Sequence, residues 1–255
     1  MSASRDRTAK LWDLNGDMLK NFDGHGESVF SATFSPDDKH ILTGSSDCTS
    51  KLWRINGTLV HTFYGHTDAV AAVAFSPNGN YIVTASWDKT VMLWTMDGSL
   101  VKTFKGHDDS ITSIAFSPNG DTIITGSRDK TARLWNMEGL QLKLFIGHTN
   151  TISSVEFSPD GKHLLTGSND KTAKLWDLNG VLQQSFERHT ARVSSVAFSP
   201  NGESILTGGL DSSLILWRPF WDIIQPENLY TLTADEMKEL EIEIDIDWKK
   251  NANNL

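Results

Sequence analysis

The sequence is poor in cysteine, tyrosine and proline. Of its 255 residues one is cysteine, three are tyrosine and seven are proline. The single thiol, Cys48, excludes an internal disulfide framework and a cysteine-cluster metal site, and it fits a reducing, cytoplasmic compartment. No apolar run reaches the ~18 residues that a membrane-spanning helix needs. The opening stretch Met1-Ser2-Ala3-Ser4-Arg5-Asp6 is polar and holds no signal-peptide core. Positive charge is also scarce. Lys and Arg number 23 against 32 acids, for a net charge of -9 and a pI near 5.3. A nucleic-acid partner calls for a basic stripe, so this balance argues against one. Residues 219–255 carry -6 of that charge, leaving only -3 on the body. Apolar residues are not scarce: at 38% they can fill a sizeable core, which excludes disorder throughout.

One internal repeat organises the chain. Trp12, Trp53, Trp94, Trp135, Trp176 and Trp217 stand 41 residues apart without insertion or deletion. The same step links His25, His66, His107, His148 and His189. It also links the turns that begin at Ser35-Pro36, Ser76-Pro77, Ser117-Pro118, Ser158-Pro159 and Ser199-Pro200, which hold five of the seven prolines. Within one unit, Ile111–Phe116, Thr122–Ser127, Thr131–Trp135 and Leu140–Phe145 are short apolar runs separated by tight turns. They predict a four-stranded antiparallel meander, and nothing in the body sustains a helical period.

Four strands per unit, with Gly24-His25, Gly65-His66, Gly106-His107 and Gly147-His148 at the openings and Trp12-Asp13 and Trp176-Asp177 at two closings, resemble the WD-repeat family of β-propellers. The fifth opening, Arg188-His189, lacks the glycine. The resemblance covers about residues 2–218 and implies an all-β propeller of four-stranded blades. The evenness of the units is similar to recently amplified arrays in bacterial signalling proteins.

Each full unit places a His, a Thr, an Asp and a Trp at fixed offsets: His25, Thr43, Asp47, Trp53; His66, Thr84, Asp88, Trp94; His107, Thr125, Asp129, Trp135; His148, Thr166, Asp170, Trp176; and His189, Thr207, Asp211, Trp217. Imidazole, carboxylate and hydroxyl together invite a catalytic or metal-binding reading. The resemblance implies instead a hydrogen-bonded chain that steadies each blade, and an active site copied five times would be unusual. Neither a catalytic residue nor a metal or cofactor is therefore expected. His40, His61 and His163 lie outside the sets, at positions expected to be solvated.

Positions that differ between units are the ones free to meet a partner. The residue before each turn aspartate runs Arg5, Ser46, Trp87, Arg128, Asn169, Leu210. Three and five residues after each His come Ser28 and Phe30, Ala69 and Ala71, Ser110 and Thr112, Thr151 and Ser153, Arg192 and Ser194. The resemblance places these positions on the top face of the propeller. Trp87, Arg128, Arg192 and Phe30 stand out there, because an exposed tryptophan beside arginine is the make-up of an interaction hot spot. Ser46, Asn169 and Leu210 complete the variable set. Glu156, where other units have Thr33, Ala74, Ala115 and Ala197, is expected at a solvated rim.

The units sum to about five and a half blades. The chain opens without a first strand or a His, and after Trp217 the expected fourth strand is replaced by Pro219-Phe220-Trp221. Met18–Phe22 is a candidate to complete the last blade, which would leave Thr8–Trp12 surplus. A longer parent of seven blades is the other expectation. Residues 219–255 form an acidic tail, with a capping box at Thr233-Ala234-Asp235-Glu236 opening a helix over about 234–240, then strict alternation of acidic and apolar residues from Glu239 to Trp248 that predicts a strand. The expected role is a non-catalytic scaffold for a protein or peptide, with no nucleic acid or membrane partner. The alternative is a recognition array at the C-terminus of a larger signalling protein. A propeller enzyme is less expected, since no phosphate loop, nucleophile elbow or carboxylate pair is visible.

Overall fold

Each unit folds as its turn chemistry dictates. In the computed structural model, which describes residues 1–218, the Ser76 hydroxyl donates to Asn78 Oδ1 at 2.7 Å and accepts from the Tyr81 amide at 2.9 Å, closing the Ser-Pro-Asn-Gly turn. Gly79 takes the left-handed conformation that turn requires, at φ +71°. Where the first such turn ends in Asp38, the aspartate itself adopts φ 56°. The expected tail helix over about 234–240 and strand over 239–248 lie outside the described residues.

Twenty-two strands form six antiparallel sheets among the described residues. The first holds β1 (Ser2–Ala3), β2 (Thr8–Trp12) and β3 (Met18–Asp23). The second holds β4 (Val29–Phe34), β5 (His40–Ser45), β6 (Ser50–Arg54) and β7 (Leu59–Phe63). The third holds β8 (Val70–Phe75), β9 (Tyr81–Ser86), β10 (Thr90–Thr95) and β11 (Leu100–Lys105). The fourth holds β12 (Ile111–Phe116), β13 (Thr122–Ser127), β14 (Ala132–Asn136) and β15 (Gln141–Phe145). The fifth holds β16 (Ile152–Phe157), β17 (His163–Ser168), β18 (Ala173–Asp177) and β19 (Leu182–Phe186). The sixth holds β20 (Val193–Phe198), β21 (Ile205–Gly209) and β22 (Leu214–Trp217). Four complete blades between two three-stranded ones make the five and a half read from the repeat. In the fourth sheet the third and fourth strands each begin one residue later than expected, at Ala132 and Gln141. The expectation for Met18–Phe22 is corrected: this stretch pairs with β2, Ala9 opposite Phe22, and completes the first sheet rather than the last. Among the described residues no helix is long and apolar enough to cross a membrane.

The core lies between the sheets. Innermost strand packs on innermost strand, β4 on β8, β8 on β12, β12 on β16 and β16 on β20. Leu42, Leu52 and Phe63 of the second sheet meet Val70, Val73, Ile82 and Trp94 of the third, and the pattern recurs around the array. Close approach needs a small residue on the second strand. A Cβ at Gly126 would stand 2.6 Å from Ile152 and 2.8 Å from Val155 of the next sheet. In the sixth sheet the same face has no packing partner among the described residues. Leu206, Leu214 and Leu216 are 40%, 75% and 69% exposed, whereas Leu165, Ala173 and Leu175, their counterparts one unit earlier, are buried. Among the described residues a Cβ at Gly208 would meet only Leu214 of its own sheet, at 3.2 Å. Gly126→Val is therefore expected to cost about 1–3 kcal/mol by overpacking. Gly208→Val is expected to fall within about 0.5 kcal/mol of the parent. Paired thermal melts check this, and equal losses at the two sites would refute the packing account.

Candidate functional site

The repeated polar sets are the first candidate. Each His Nδ1 lies 2.6–2.9 Å from its Asp Oδ2, and each His Nε2 lies 2.7–2.8 Å from its Thr Oγ1. Each Trp indole N–H donates to the same Thr Oγ1 at 2.8–3.0 Å. A carboxylate has no proton to give, so Nδ1 carries the proton and Nε2 of the neutral ring accepts from the threonine hydroxyl. Every group then donates once along the line from indole to carboxylate. The aspartate also accepts from its own turn and from the residue after the histidine: at Asp88, from the amides of Thr67 and Thr90 and the Thr90 hydroxyl, at 2.7–3.0 Å. The imidazoles are buried or nearly so, and their lone pairs and protons are all engaged within the fold.

Burial works to raise the carboxyl pKa of Asp47, but hydrogen bonds from Thr49, His25 and Gly26 outweigh it and hold it at about 2. Asp88, Asp129 and Asp170 are held well below the usual range in the same way, against burial, chiefly by their histidines and turn threonines. In the four units that have it, the glycine before the histidine makes room for the indole: a Cβ at Gly147 would lie 2.8 Å from the Trp176 ring. The first sheet has no histidine. There Trp12 donates to Ser2 Oγ at 2.9 Å, and Lys10 Nζ meets Asp6 at 2.7 Å. Among the described residues no three His, Cys, Asp or Glu side chains are placed to hold a metal ion.

The variable positions form the second candidate, and the backbone brings them together. The residue before each turn aspartate donates its amide to the carbonyl of the residue three after the histidine: Ser46 to Ser28, Trp87 to Ala69, Arg128 to Ser110, Asn169 to Thr151 and Leu210 to Arg192, at 2.8–2.9 Å. Both groups therefore share one rim of the array. Side chains join three sheets there. Phe30 of the second sheet stacks on Trp87 of the third, with ring centroids 5.3 Å apart and planes at 30°. The Arg128 guanidinium of the fourth sheet lies 4.8 Å from the Trp87 ring centroid. Phe30 and Arg128 are exposed and Trp87 is half-buried. Arg192 and Leu210 are exposed in the sixth sheet, while Ser46 and Asn169 are half-buried.

Some variable positions are occupied otherwise than the repeat comparison implied. Thr112 and Ser153 donate to carbonyls of the next sheet, Ile152 and Val193, as well as to Gly126 and Gly167 of their own, so they sew sheets together. Glu156, expected in solvent, is half-buried, and its Oε2 accepts from the Phe198 amide at 2.9 Å across a sheet boundary. Burial pushes its pKa up. His40, His61 and His163, also expected in solvent, are half-buried at strand positions, and His61 packs edge-on against Phe63 at 4.9 Å. At the opposite end of the strands from the rim, Lys39, His40, Arg54, Ile55 and Asn56 line an open cleft of about 360 Å³.

Comparisons with known proteins agree with this architecture. A family model described as the IFT122 first beta-propeller matches residues 51–219, well over half of the chain, and one described as WD domain, G-beta repeat matches residues 16–54. The chain is 54% identical over 41 residues to WD40 repeat-containing protein HOS15 of Arabidopsis thaliana, a stretch covering 16% of this chain and 7% of that protein. It is 44% identical over 45 residues to human WD repeat and SOCS box-containing protein 1, covering 17% of this chain and 11% of that protein. The chain thus spans only a small part of these relatives, and the matched stretches are about one repeat long. The sheets, the polar sets and the matched models together assign the chain to the WD-repeat β-propeller family.

Proposed function

We propose that the chain is a non-catalytic scaffold that holds a protein or peptide against the rim bearing Phe30, Trp87 and Arg128. WD-repeat propellers generally act as protein-interaction platforms, which supports the class of function. The observation that carries the reading is the stack itself. Three side chains from three sheets converge where the repeat does not call for them, and they present an aromatic face and a guanidinium side by side. Against an enzyme, every repeat imidazole and carboxylate is committed to an internal hydrogen bond. The lone thiol supports a reducing, cytoplasmic setting.

Peptides selected from a display library on the full chain test the proposal. Trp87→Ala with Arg128→Ala is expected to weaken the selected peptides by about 30-fold or more, the scale of a hot-spot pair. Lys39→Ala with Arg54→Ala, at the other end of the strands, is expected to leave binding unchanged. Peptides that bind the rim variant as tightly as the parent would overturn the reading, provided circular dichroism shows the variant folded.

A further inference from the structure

The charge of the rim changes along its length. In the second, third and fourth sheets the loops after the histidine carry exposed Glu27, Asp68, Asp108 and Asp109. The equivalent loops of the fifth and sixth sheets carry Thr149-Asn150 and Thr190-Ala191, with no acid. From the fourth sheet onward the exposed cations Arg128 and Lys130, then Lys171 of the fifth sheet and Arg192 of the sixth, have no acidic partner among the described residues, nor has Lys89 at the matching turn of the third. Arg133, by contrast, reaches Asp108 and Asp129 at 3.7 and 3.8 Å. Arg128 is the best placed of the five. Its guanidinium lies over the Trp87 ring, which leaves its N–H edge free to take a carboxylate side-on. The rim therefore runs from an aromatic patch at Phe30 and Trp87 to a row of cations with no acidic partner among the described residues.

We infer that the partner is an acidic peptide segment: an apolar side chain rests on Phe30 and Trp87, and aspartate or glutamate side chains follow over Arg128 towards Lys171 and Arg192. This rests on the rim being the binding surface. Carboxylates suit the row better than a single phosphate, because the cations are spread over three sheets and each can meet a separate charge. Opposite charges also favour encounter, so binding weakens as salt rises.

The test uses fluorescence anisotropy on the full chain with three fluorescein-labelled peptides. Each has one leucine, followed by a run of glutamates, by the matching glutamines, or by glutamines with one phosphoserine. The glutamate peptide is expected to bind about tenfold more tightly than the glutamine peptide, as one charged hydrogen bond at Arg128 would give. Arg128→Gln should erase that difference without abolishing glutamine-peptide binding, and Trp87→Ala should weaken both. Equal affinity for the glutamate and glutamine peptides, with both lost in Trp87→Ala, overturns the acidic partner and leaves the rim reading standing. Binding indifferent to Trp87, or no binding by any peptide, overturns both. Preference for the phosphoserine peptide over the glutamate peptide overturns the choice of carboxylate.

Discussion

Replacing Asp88 by alanine is expected to destabilise the chain by about 3 kcal/mol, the most damaging of the single truncations considered. The carboxylate accepts from His66 Nδ1, the Thr67 amide, the Thr90 amide and the Thr90 hydroxyl at 2.7–3.0 Å. Alanine leaves these donors facing a void in which water has little access, and an unsatisfied buried donor costs about 1–3 kcal/mol. The loss spreads along the line. Without its anchor the His66 ring is free to turn, Thr84 Oγ1 loses the acceptor at 2.8 Å, and the Trp94 indole that donates to Thr84 at 3.0 Å loses its orientation. In a chain of this size ~1 kcal/mol moves the melting midpoint by about 2–4 °C, so a fall of about 6–12 °C is expected. Asp88→Asn keeps an oxygen for His66 and should lose roughly half as much. Lys89→Ala, on the exposed tip of the same turn, should stay within about 0.5 kcal/mol of the parent. Because stability in a repeat array is largely local, amide exchange should rise first in β9 and β10. A melting point unchanged by Asp88→Ala would mean that the polar sets are not struts, and would reopen a chemical role for them.

The repeat made the sheets legible from sequence and hid what joins them. A fixed period marks which residues are equivalent within a unit, so the strands, the Ser-Pro turns and the His-Thr-Asp-Trp lines could be read directly. It carries no information on which side chain of one unit reaches which side chain of the next. The pairing of Phe30 with Trp87 crosses a sheet boundary and links two different positions of the repeat. Thr112 and Ser153 looked free because their column varies, yet a hydroxyl there finds a carbonyl on the neighbouring sheet, while Phe30 and Ala71 in the same column cannot donate. Glu156 is similar: only the approach of β20 supplies the Phe198 amide that draws its carboxylate inward. The fate of Met18–Phe22 turned on a competition invisible in one sequence. β2 lies a tight turn away, so pairing with it closes a shorter loop than pairing with a strand nearly two hundred residues on.

Acidification is expected to unfold the chain steeply below about pH 4, and the polar sets are the reason. A carboxyl whose folded pKa lies below its unfolded value contributes stability that is complete above the unfolded value and is lost as pH falls through the folded one. Asp47, Asp88, Asp129, Asp170 and Asp211 all sit below the ordinary 3.8, and Asp47 lies at about 2. In the first four, burial opposes the shift and the histidine and turn donors overcome it; at Asp211 the Ser213 hydroxyl leads. The unfolded chain therefore takes up protons that the folded chain refuses, and five such sites act in the same direction. His25 adds to them earlier. Burial lowers its pKa below 6.5, so protonation of the unfolded chain already favours unfolding from about that pH downward. Asp6, Asp37, Asp97 and Asp160 in the exposed turns are lowered too and act the same way. Glu156 opposes them all, because burial raises its pKa and the folded chain binds that proton first, but it is one site against ten. Urea midpoints at constant ionic strength should thus decline gently from pH 6.5 to 4 and sharply below 4. The double variant Asp88→Asn with Asp129→Asn should start from a lower midpoint at neutral pH and show a shallower acid limb. A midpoint that holds constant between pH 5 and 3, or an acid limb as steep in the double variant as in the parent, would place the acid sensitivity outside the imidazole–carboxylate lines.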